Sequence, residues 1–311
     1  MHMLKIFAFA ICAPLAYSAM AEPQPPMFNW DHVTAGVNLG SLGGKTSERA
    51  YSPAQGGRKV SQLDWRYSNA AVIQGSLEWS AMPWFSLGTS GWTTFTRKEG
   101  RMDDYDWQSA SQNGWTDHSS HPNTHLNFSN QFDIHATGWI FKYPEWRMGV
   151  MAGYQESRFS FNSRGGSYSY NNGANTGTFA PNVMSIGYKQ RFSVPYIGVT
   201  GQYRYRDFEI GGTFKYSAWA RVTGNDEHYL RTLTFTDKSS GQDYFSLAAN
   251  VGYYVSENVK VYVEGTWNRA TNKKTNVNVN NYRSGVSTDY RDAGGIENYN
   301  FLTTAGVKYT F

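Results

Sequence analysis

Hydrophobic and polar residues alternate along most of the chain. In residues 33–40, valine, alanine and leucine occupy the odd positions, and polar or small residues occupy the even positions. Because successive side chains of a β-strand point to opposite faces, a period of two predicts a strand. The pattern recurs at 71–79, 85–89, 132–140, 148–152, 197–205, 208–216, 245–255, 259–264 and 303–311. The sequence therefore predicts an all-β fold of ten antiparallel strands.

The connections between these strands are of two kinds. Short turns occur at 81–83, 142–145, 206–207 and 256–258. Polar segments rich in Gly, Asn and Ser occur at about 44–58, 97–125, 160–184, 224–242 and 270–297. Aromatic residues cluster beside the short turns: Trp84, Phe85, Tyr143, Trp146, Tyr205, Phe208 and Tyr253. This arrangement is typical of a ten-stranded transmembrane β-barrel with a wet lumen, an aromatic girdle and long extracellular loops.

The first 21 residues predict a cleaved leader rather than a part of the fold. Lys5 provides a positive start, residues 6–15 an apolar stretch, and residues 19–21 a small-residue cleavage site. We therefore expect one barrel domain at 22–311 in the outer membrane of a bacterium. Cys12 is the one cysteine and lies in the leader, so the exported protein has neither a disulfide nor a thiol nucleophile.

Composition narrows the function classes. The formal charge of +4 is too small to favour nucleic-acid binding. Mean hydropathy is negative, and no run of 18 apolar residues follows the leader, which argues against a helical membrane protein. Aromatic residues make up 16% of the chain, which fits strands that face lipid on one side.

Two pairs of acidic or basic residues recur at a spacing of two. Asp226 with His228, and Asp104 with Asp106, each share one face of an extended strand. An Asp beside a His is a common way to build a general base, and a second carboxylate pair can orient a water. Both pairs fall at the predicted outer end of the barrel. The alternative is that both are solvated loop charges.

Other candidates have weaker support. Asp117, His118, His121 and His125 have spacings that a metal can use, and residues 103–106 resemble calcium ligands, but loop residues of these types are mostly solvated. We predict no metal. Ser61 and Ser119 have no His at an interpretable spacing.

A set of charged residues continues the lipid-facing parity of two neighbouring strands. These residues are Tyr154, Glu156, Arg158 and Arg191. Guanidinium groups at the outer leaflet suit lipid phosphates. The alternative is that the long side chains extend to the headgroup region without specific binding.

Several motifs resemble the omptin family of outer-membrane proteases, and the resemblance extends over the whole mature chain. They are GGRKVSQLDW at 56–65, DYDW at 104–107, GYQESR at 153–158, GYKQR at 187–191, NDEHY at 225–229 and TAGVKYTF at 304–311. The resemblance implies a ten-stranded barrel that cleaves peptides beside basic residues, with water as nucleophile and no cofactor.

The resemblance also implies individual roles. Asp104 and Asp106 would form one catalytic pair, and Asp226 and His228 the other. Glu48 would lie at the base of the pocket for the basic side chain before the cut, and Asp117 would recognise the residue after it. Tyr154, Glu156, Arg158 and Arg191 would contact lipopolysaccharide, which family members need for activity.

Two positions depart from the family. Gly224 stands where some relatives have an Asp that lines the same pocket as Glu48, so we expect a weakened preference for Arg or Lys. Ser240 stands where some members have a Lys that completes the lipid site.

The sequence therefore predicts an outer-membrane endopeptidase that cuts beside Arg or Lys, depends on lipopolysaccharide and faces the cell exterior. Its partners would be outer-leaflet lipopolysaccharide and cationic peptides or proteins, with antimicrobial peptides and plasminogen as candidates. The alternative is a non-catalytic barrel that acts as an adhesin or a pore. Bulky residues expected in the lumen argue against a pore: Tyr196, Arg204, Lys215 and Trp219.

Overall fold

β-Strands make up nearly all of the computed structural model, which describes residues 31–311. The strands are β1 (His32–Ser52), β2 (Arg58–Met82), β3 (Phe85–Thr94), β4 (Lys98–Asp106), β5 (Asp117–Lys142), β6 (Trp146–Tyr170), β7 (Asn175–Tyr205), β8 (Phe208–His228), β9 (Leu233–Tyr254), β10 (Val259–Asn281) and β11 (Val286–Thr310). Short 3₁₀ turns at Pro53–Gln55 and Tyr229–Arg231 follow β1 and β8. In this part of the chain, no helix is long and apolar enough to cross a membrane. The predicted leader and the start of the mature domain at residue 22 lie outside the described residues.

The sheet closes into a ring. β1 pairs antiparallel with both β2 and β11, so the first and last strands meet. β3 and β4 both lie between β2 and β5, and they are the two parts of one strand position that is interrupted at residues 95–97. The ring therefore has ten strand positions, which confirms the predicted ten-stranded barrel.

One end of the barrel carries the short turns, as the sequence predicted. The connections there are residues 83–84, 143–145, 206–207 and 255–258. β1 begins and β11 ends at the same end. We call this the lower end of the barrel and the opposite end the upper end.

The predicted long loops at the upper end were wrong. Most residues of 44–58, 97–125, 160–184, 224–242 and 270–297 continue the strands, and the connections shrink to 53–57, 107–116, 171–174, 229–232 and 282–285. Ladder hydrogen bonds join backbone groups, so they form whatever the polarity of the side chains. A polar segment in which apolar and polar residues rarely alternate is typical of a loop. Here such segments form strands whose outer face is polar.

The lower half has an apolar outer face. Exposed side chains there include Val37, Leu39, Ile134, Val150, Ile197, Ile210, Leu247 and Val263. The aromatic residues predicted beside the short turns are mostly exposed as well, among them Trp84, Tyr143, Tyr205 and Phe208. The alternation of apolar outward and polar inward residues is therefore confirmed for this half.

The lower lumen is polar, and its charges are paired. Asp133 accepts from Lys215 at 2.7 Å, and its other oxygen lies 2.9 Å from Nδ1 of His135. Nearer the lower end, Lys260 lies 2.5 Å from Glu209. A cavity of about 980 Å³ lies among these residues.

The upper lumen is filled by an apolar cluster, which we call the upper-lumen core. Trp65 stacks on Tyr188 with ring centroids 5.7 Å apart and lies 5.5 Å from Phe161. Other buried members are Leu42, Met102, Phe159, Phe192 and Ile296. The barrel thus changes character along its axis: the lower half is apolar outside and polar inside, whereas the upper half has an apolar core.

Candidate active site

A β-bulge in β8 decides which residues of its upper part face the lumen. Below the bulge the even-numbered residues face outward, as Ile210 does with 55% of its surface exposed. Between residues 216 and 221 the register with β7 shifts because β8 contains one extra residue. Trp219, which we expected in the lumen, lies within this shift and is 54% exposed. Asp226 and His228 have the same parity as Ile210 but are turned inward by the bulge.

Asp226 and His228 form a hydrogen-bonded pair inside the upper barrel. Nε2 of His228 lies 2.6 Å from Oδ2 of Asp226. With Nε2–H donating to the carboxylate, Nδ1 of the neutral ring is left as an acceptor. Burial lowers the pKa of His228, but the Asp226 carboxylate outweighs burial and raises the pKa above 6.5. Asp226 therefore both orients the ring and favours its protonation.

Asp104 and Asp106 form the second pair, on the last residues of β4. The hydroxyl of Ser61 lies 3.5 Å from Oδ1 of Asp104. Burial, reinforced by the charges of Asp106 and Asp226 and opposed by His228, raises the pKa of Asp104 to about 8. Burial also raises the pKa of Asp106, against a hydrogen bond from Ser61. One proton is therefore held on this pair at neutral pH.

The two pairs face each other across the upper lumen. β4 and β8 are four strand positions apart in the ring of ten, which is close to opposite. The pKa of Asp104 nevertheless responds to both Asp226 and His228, and the pKa of His228 responds to Asp104. The structure thus brings together two pairs of residues that are more than a hundred positions apart in sequence.

Glu48 lies beside these pairs on β1. It is only 6% exposed, and its Oε2 has no hydrogen-bond partner among the described residues. Burial, reinforced by the charges of Asp226, Asp237 and Asp104, raises the pKa of Glu48 well above its usual range. A buried carboxylate without a partner is costly, so this side chain is suited to receive a cation.

Asp237 belongs to the same acidic group, but the sequence motifs did not identify it. It lies on β9 and is 2% exposed, and Thr275 donates to its Oδ1 at 2.5 Å. Burial, reinforced by Asp226 and opposed by the Thr275 hydrogen bond, raises its pKa to about 7. Counting residues outward from the turn after β8 pairs Asp237 with Gly224, so the hairpin register carried a signal for it.

Asp117 begins β5 and pairs in register with Asp106, at the rim of the site. Its Oδ2 accepts from the hydroxyl of Thr116 at 2.6 Å, and its Oδ1 accepts from the backbone N–H of Asn171 at 2.9 Å. Its charge contributes to the raised pKa of Asp106. Asp117 therefore lies close to the catalytic candidates but is also tied to two loops.

Tyr154, Glu156, Arg158 and Arg191 lie together on the outer face of β6 and β7. Arg158 and Arg191 are cross-strand partners, and both donate to Glu156, at 2.6 Å and 2.5 Å. Tyr154 donates to the same carboxylate at 3.3 Å. About half of each Arg side chain stays exposed. One carboxylate therefore orients two guanidinium groups that still have free donors.

The residues considered as metal ligands do not converge. Asp103 forms ion pairs with Arg66 and Arg101, and His121 contacts Ser119 and the Gly165 carbonyl. Within residues 31–311, no group of three His, Cys, Asp or Glu side chains could hold a metal ion.

Comparison with known proteins gives a consistent result. The family model described as the Omptin family matches residues 29–311. Protease 7 of Escherichia coli (strain K12) is 50% identical over 314 residues, which cover 99% of each chain. The plasminogen activator of Yersinia pestis is 46% identical over 295 residues, covering 94% of each chain.

A solved structure agrees with the sequence comparisons. The crystal structure of the outer membrane protease OmpT from Escherichia coli is 52% identical, with a TM-score of 0.88, and the match covers 90% of this chain and 97% of that one. The chain therefore belongs to the omptin family of outer-membrane proteases and forms a transmembrane β-barrel.

Proposed function

We propose that this protein is an endopeptidase that cuts peptides after Arg or Lys, with its active site facing the cell exterior. The observation that carries the proposal is the meeting of Asp226 and His228 with Asp104 and Asp106 across the upper lumen. The upper-lumen core closes the barrel beneath them, so a substrate reaches the four side chains only from above.

A water held between the two pairs is the nucleophile. Nδ1 of His228 takes a proton from this water as its oxygen bonds to the peptide carbonyl carbon. The imidazolium is stabilised by Asp226 and then gives its proton to the departing amine nitrogen as the C–N bond breaks. Protons balance, because one leaves the water and one reaches the amine.

Asp104 and Asp106 orient the water from the opposite side. Since the pair holds one proton at neutral pH, it offers both an acceptor for the water and a donor for the oxygen that becomes negative. The hydroxyl near Asp104, on Ser61, helps to hold the carboxylates in place.

The acidic residues around the catalytic pairs select a cationic substrate. Glu48 receives the basic side chain before the cut, and Asp117 contacts the residue after it. A group of buried carboxylates also attracts cationic peptides from solution, in a way that weakens as salt is added. Antimicrobial peptides fit this charge, and the name of the Yersinia pestis relative makes plasminogen a substrate worth testing.

The outer cluster of Tyr154, Glu156, Arg158 and Arg191 binds the phosphates of lipopolysaccharide, which is required for activity. Its two guanidinium groups have free donors of the kind that phosphate accepts. At the position of Ser240, the neighbouring strand offers an exposed Arg221 in register, so a further cation lies near this face.

The proposal is tested by digesting a peptide library with the refolded protein, with and without lipopolysaccharide, and mapping the cuts by mass spectrometry. We expect cuts after Arg and Lys that need the lipid, and a loss of about 10²–10⁴-fold in the Asp106→Asn variant. No cutting by the wild type would refute the proteolytic function. Undiminished cutting by Asp106→Asn would refute the mechanism alone.

A further inference from the structure

Gly224 has a carboxylate directly across from it. In the ladder between β8 and β9, Gly224 pairs with Asp237. A Cβ added at Gly224 would lie 3.3 Å from Cβ of Asp237, 2.8 Å from Cδ1 of Ile296 and 3.4 Å from the Tyr188 hydroxyl. Because position 224 has no side chain, the space beside Asp237 is bordered instead by Cδ1 of Ile296 and the hydroxyl of Tyr188.

Glu48 borders the same space from another strand. Its neighbour in the β1–β11 ladder is Ile296, the residue whose Cδ1 approaches Gly224. Oε2 of Glu48 is buried and has no hydrogen-bond partner among residues 31–311. Glu48 and Asp237 are also close enough for their charges to act on each other.

Neither acid is neutralised by the protein itself. In the described chain, no Lys or Arg lies within ion-pair distance of Glu48 or Asp237, whereas Asp64, Asp103 and Glu297 near the same end all have such partners. Asp237 accepts one hydrogen bond, from Thr275 to Oδ1, so Oδ2 remains available. These two neighbouring buried acids have raised pKa values and no counter-charge among residues 31–311, so a cation from outside would stabilise their charged forms.

We propose that Asp237 is the second carboxylate of the pocket for the basic side chain, and that it supplies the negative charge that Gly224 lacks. This inference rests on the proposed function. A guanidinium group has five donors in a planar fork and can span two carboxylates, and an ammonium group can lie between them. The preference for Arg and Lys before the cut is then kept, with the charge moved from β8 to β9.

The test compares two peptides that differ only in the residue before the cut, Arg or the uncharged citrulline of the same shape. The measured quantity is the ratio of their kcat/KM values for the refolded protein with lipopolysaccharide. We expect Asp237→Asn to lower this ratio roughly tenfold or more, since a hydrogen bond to a charged group is lost. The loss should fall mainly on the Arg peptide.

Two further variants separate charge from structure. Thr275→Val removes the hydrogen bond that lowers the pKa of Asp237 but leaves its carboxyl group in place. Measured on the alkaline side of that pKa, where Asp237 is charged, the ratio should stay within about twofold of wild type. The double variant Gly224→Asp with Asp237→Ser returns a carboxylate to β8 and should recover much of the ratio. A second single variant, Asp237→Ser, repeats the test if the Asn side chain is poorly accommodated.

The outcomes distinguish a failure of the role of Asp237 from a failure of the proposed proteolytic function. An unchanged Arg-to-citrulline ratio in Asp237→Asn, with normal cutting, would overturn the role of Asp237 and leave the proteolytic function intact. An equal drop in Thr275→Val and Asp237→Asn would also overturn it, because the effect would then be structural. If the wild type cuts neither peptide, the proposed function fails first.

Discussion

Two Asp-x-His pairs lie in this barrel, one in each half. Asp133 and His135 lie in the lower lumen at 2.9 Å, and Asp226 and His228 lie in the upper lumen at 2.6 Å. The lower pair is surrounded by compensating charge, because Lys215 binds Asp133. The upper pair has no Lys or Arg in ion-pair distance within residues 31–311. The carboxylate of the Asp-x-His motif therefore has a compensating cation in the lower lumen. In the described upper lumen no Lys or Arg at ion-pair distance compensates it.

The surroundings of such a pair, rather than its spacing in sequence, decide what it can do. In the lower half, Glu78 also lies 3.4 Å from His135, and Tyr196 donates to Asp133, so every group has a partner. Satisfied buried networks of this kind hold a fold together. In the upper half, Asp104 and Glu48 are buried acids without a Lys or Arg at ion-pair distance in residues 31–311, and burial raises the pKa of both, so each favours its protonated form.

Replacing the two histidines gives the largest expected contrast. His228→Ala should lower kcat/KM by about 10²–10⁴-fold, because the general base is lost. His135→Ala should leave cleavage within about threefold of wild type once the folded fractions are matched. Fluorogenic peptide assays on both variants measure this, and equal losses would remove the distinction between the pairs.

Removing the lower Asp should instead cost stability. Asp133→Asn leaves Lys215 buried without its counter-charge, which we expect to lower the free energy of unfolding by about 3 kcal/mol. Urea unfolding in lipid vesicles measures this. Asp226→Asn is the matched control, and we expect its stability to equal or exceed that of wild type, since Asp226 lies among other buried acids and has no Lys or Arg within ion-pair distance in residues 31–311. A larger loss in the control would contradict the comparison.

The pH dependence of cleavage should report the influence of Asp226 on His228. Since the base acts only when neutral, kcat/KM rises with pH through the pKa of His228, which lies above 6.5. In Asp226→Asn the carboxylate that raises the pKa of His228 is gone, whereas burial still lowers that pKa. The acid limb of the residual activity should therefore move to lower pH. An unmoved limb would assign it to another group.

The smallest expected effect is on thermal stability at Glu48. The fold favours the protonated acid, so its contribution to stability is present below pH 4.5 and is lost as pH rises through the raised pKa. Glu48→Gln mimics the neutral acid and should raise Tm by roughly 2–4 °C at pH 8. At pH 4 the Tm values of variant and wild type should coincide. A lower Tm at pH 8 would show that the charge of Glu48 is stabilising.

Sequence alone predicted the ten strands and their lower turns, because lipid contact forces apolar residues onto one face and period two is then visible. It mistook the upper strands for loops, since water outside that half removes the alternation. The bulge at Trp219 was also not predicted, because one extra residue among polar and small neighbours does not change the composition of the segment.

The candidate site was predicted in part, and for a specific reason. Asp104, Asp106, Asp226 and His228 lie in motifs, and the structure brings all four together. Asp237 lies in no motif, and its proposed role depends on the partner across the ladder, Gly224. Such a relation is visible only once the hairpin register is known. The charge compensation of Asp133 and His135 likewise depends on Lys215, which is remote in sequence.

The bulge in β8 works like a shift of reading frame on a strand whose two faces alternate. Residues below it are selected for contact with lipid, and residues above it are selected for chemistry, although both sets occupy even positions. Deleting one residue there would leave every other side chain unchanged and yet exchange inside for outside in the residues that follow on the strand. A single inserted residue thus lets one strand turn its even positions to lipid below the bulge and to the lumen above it.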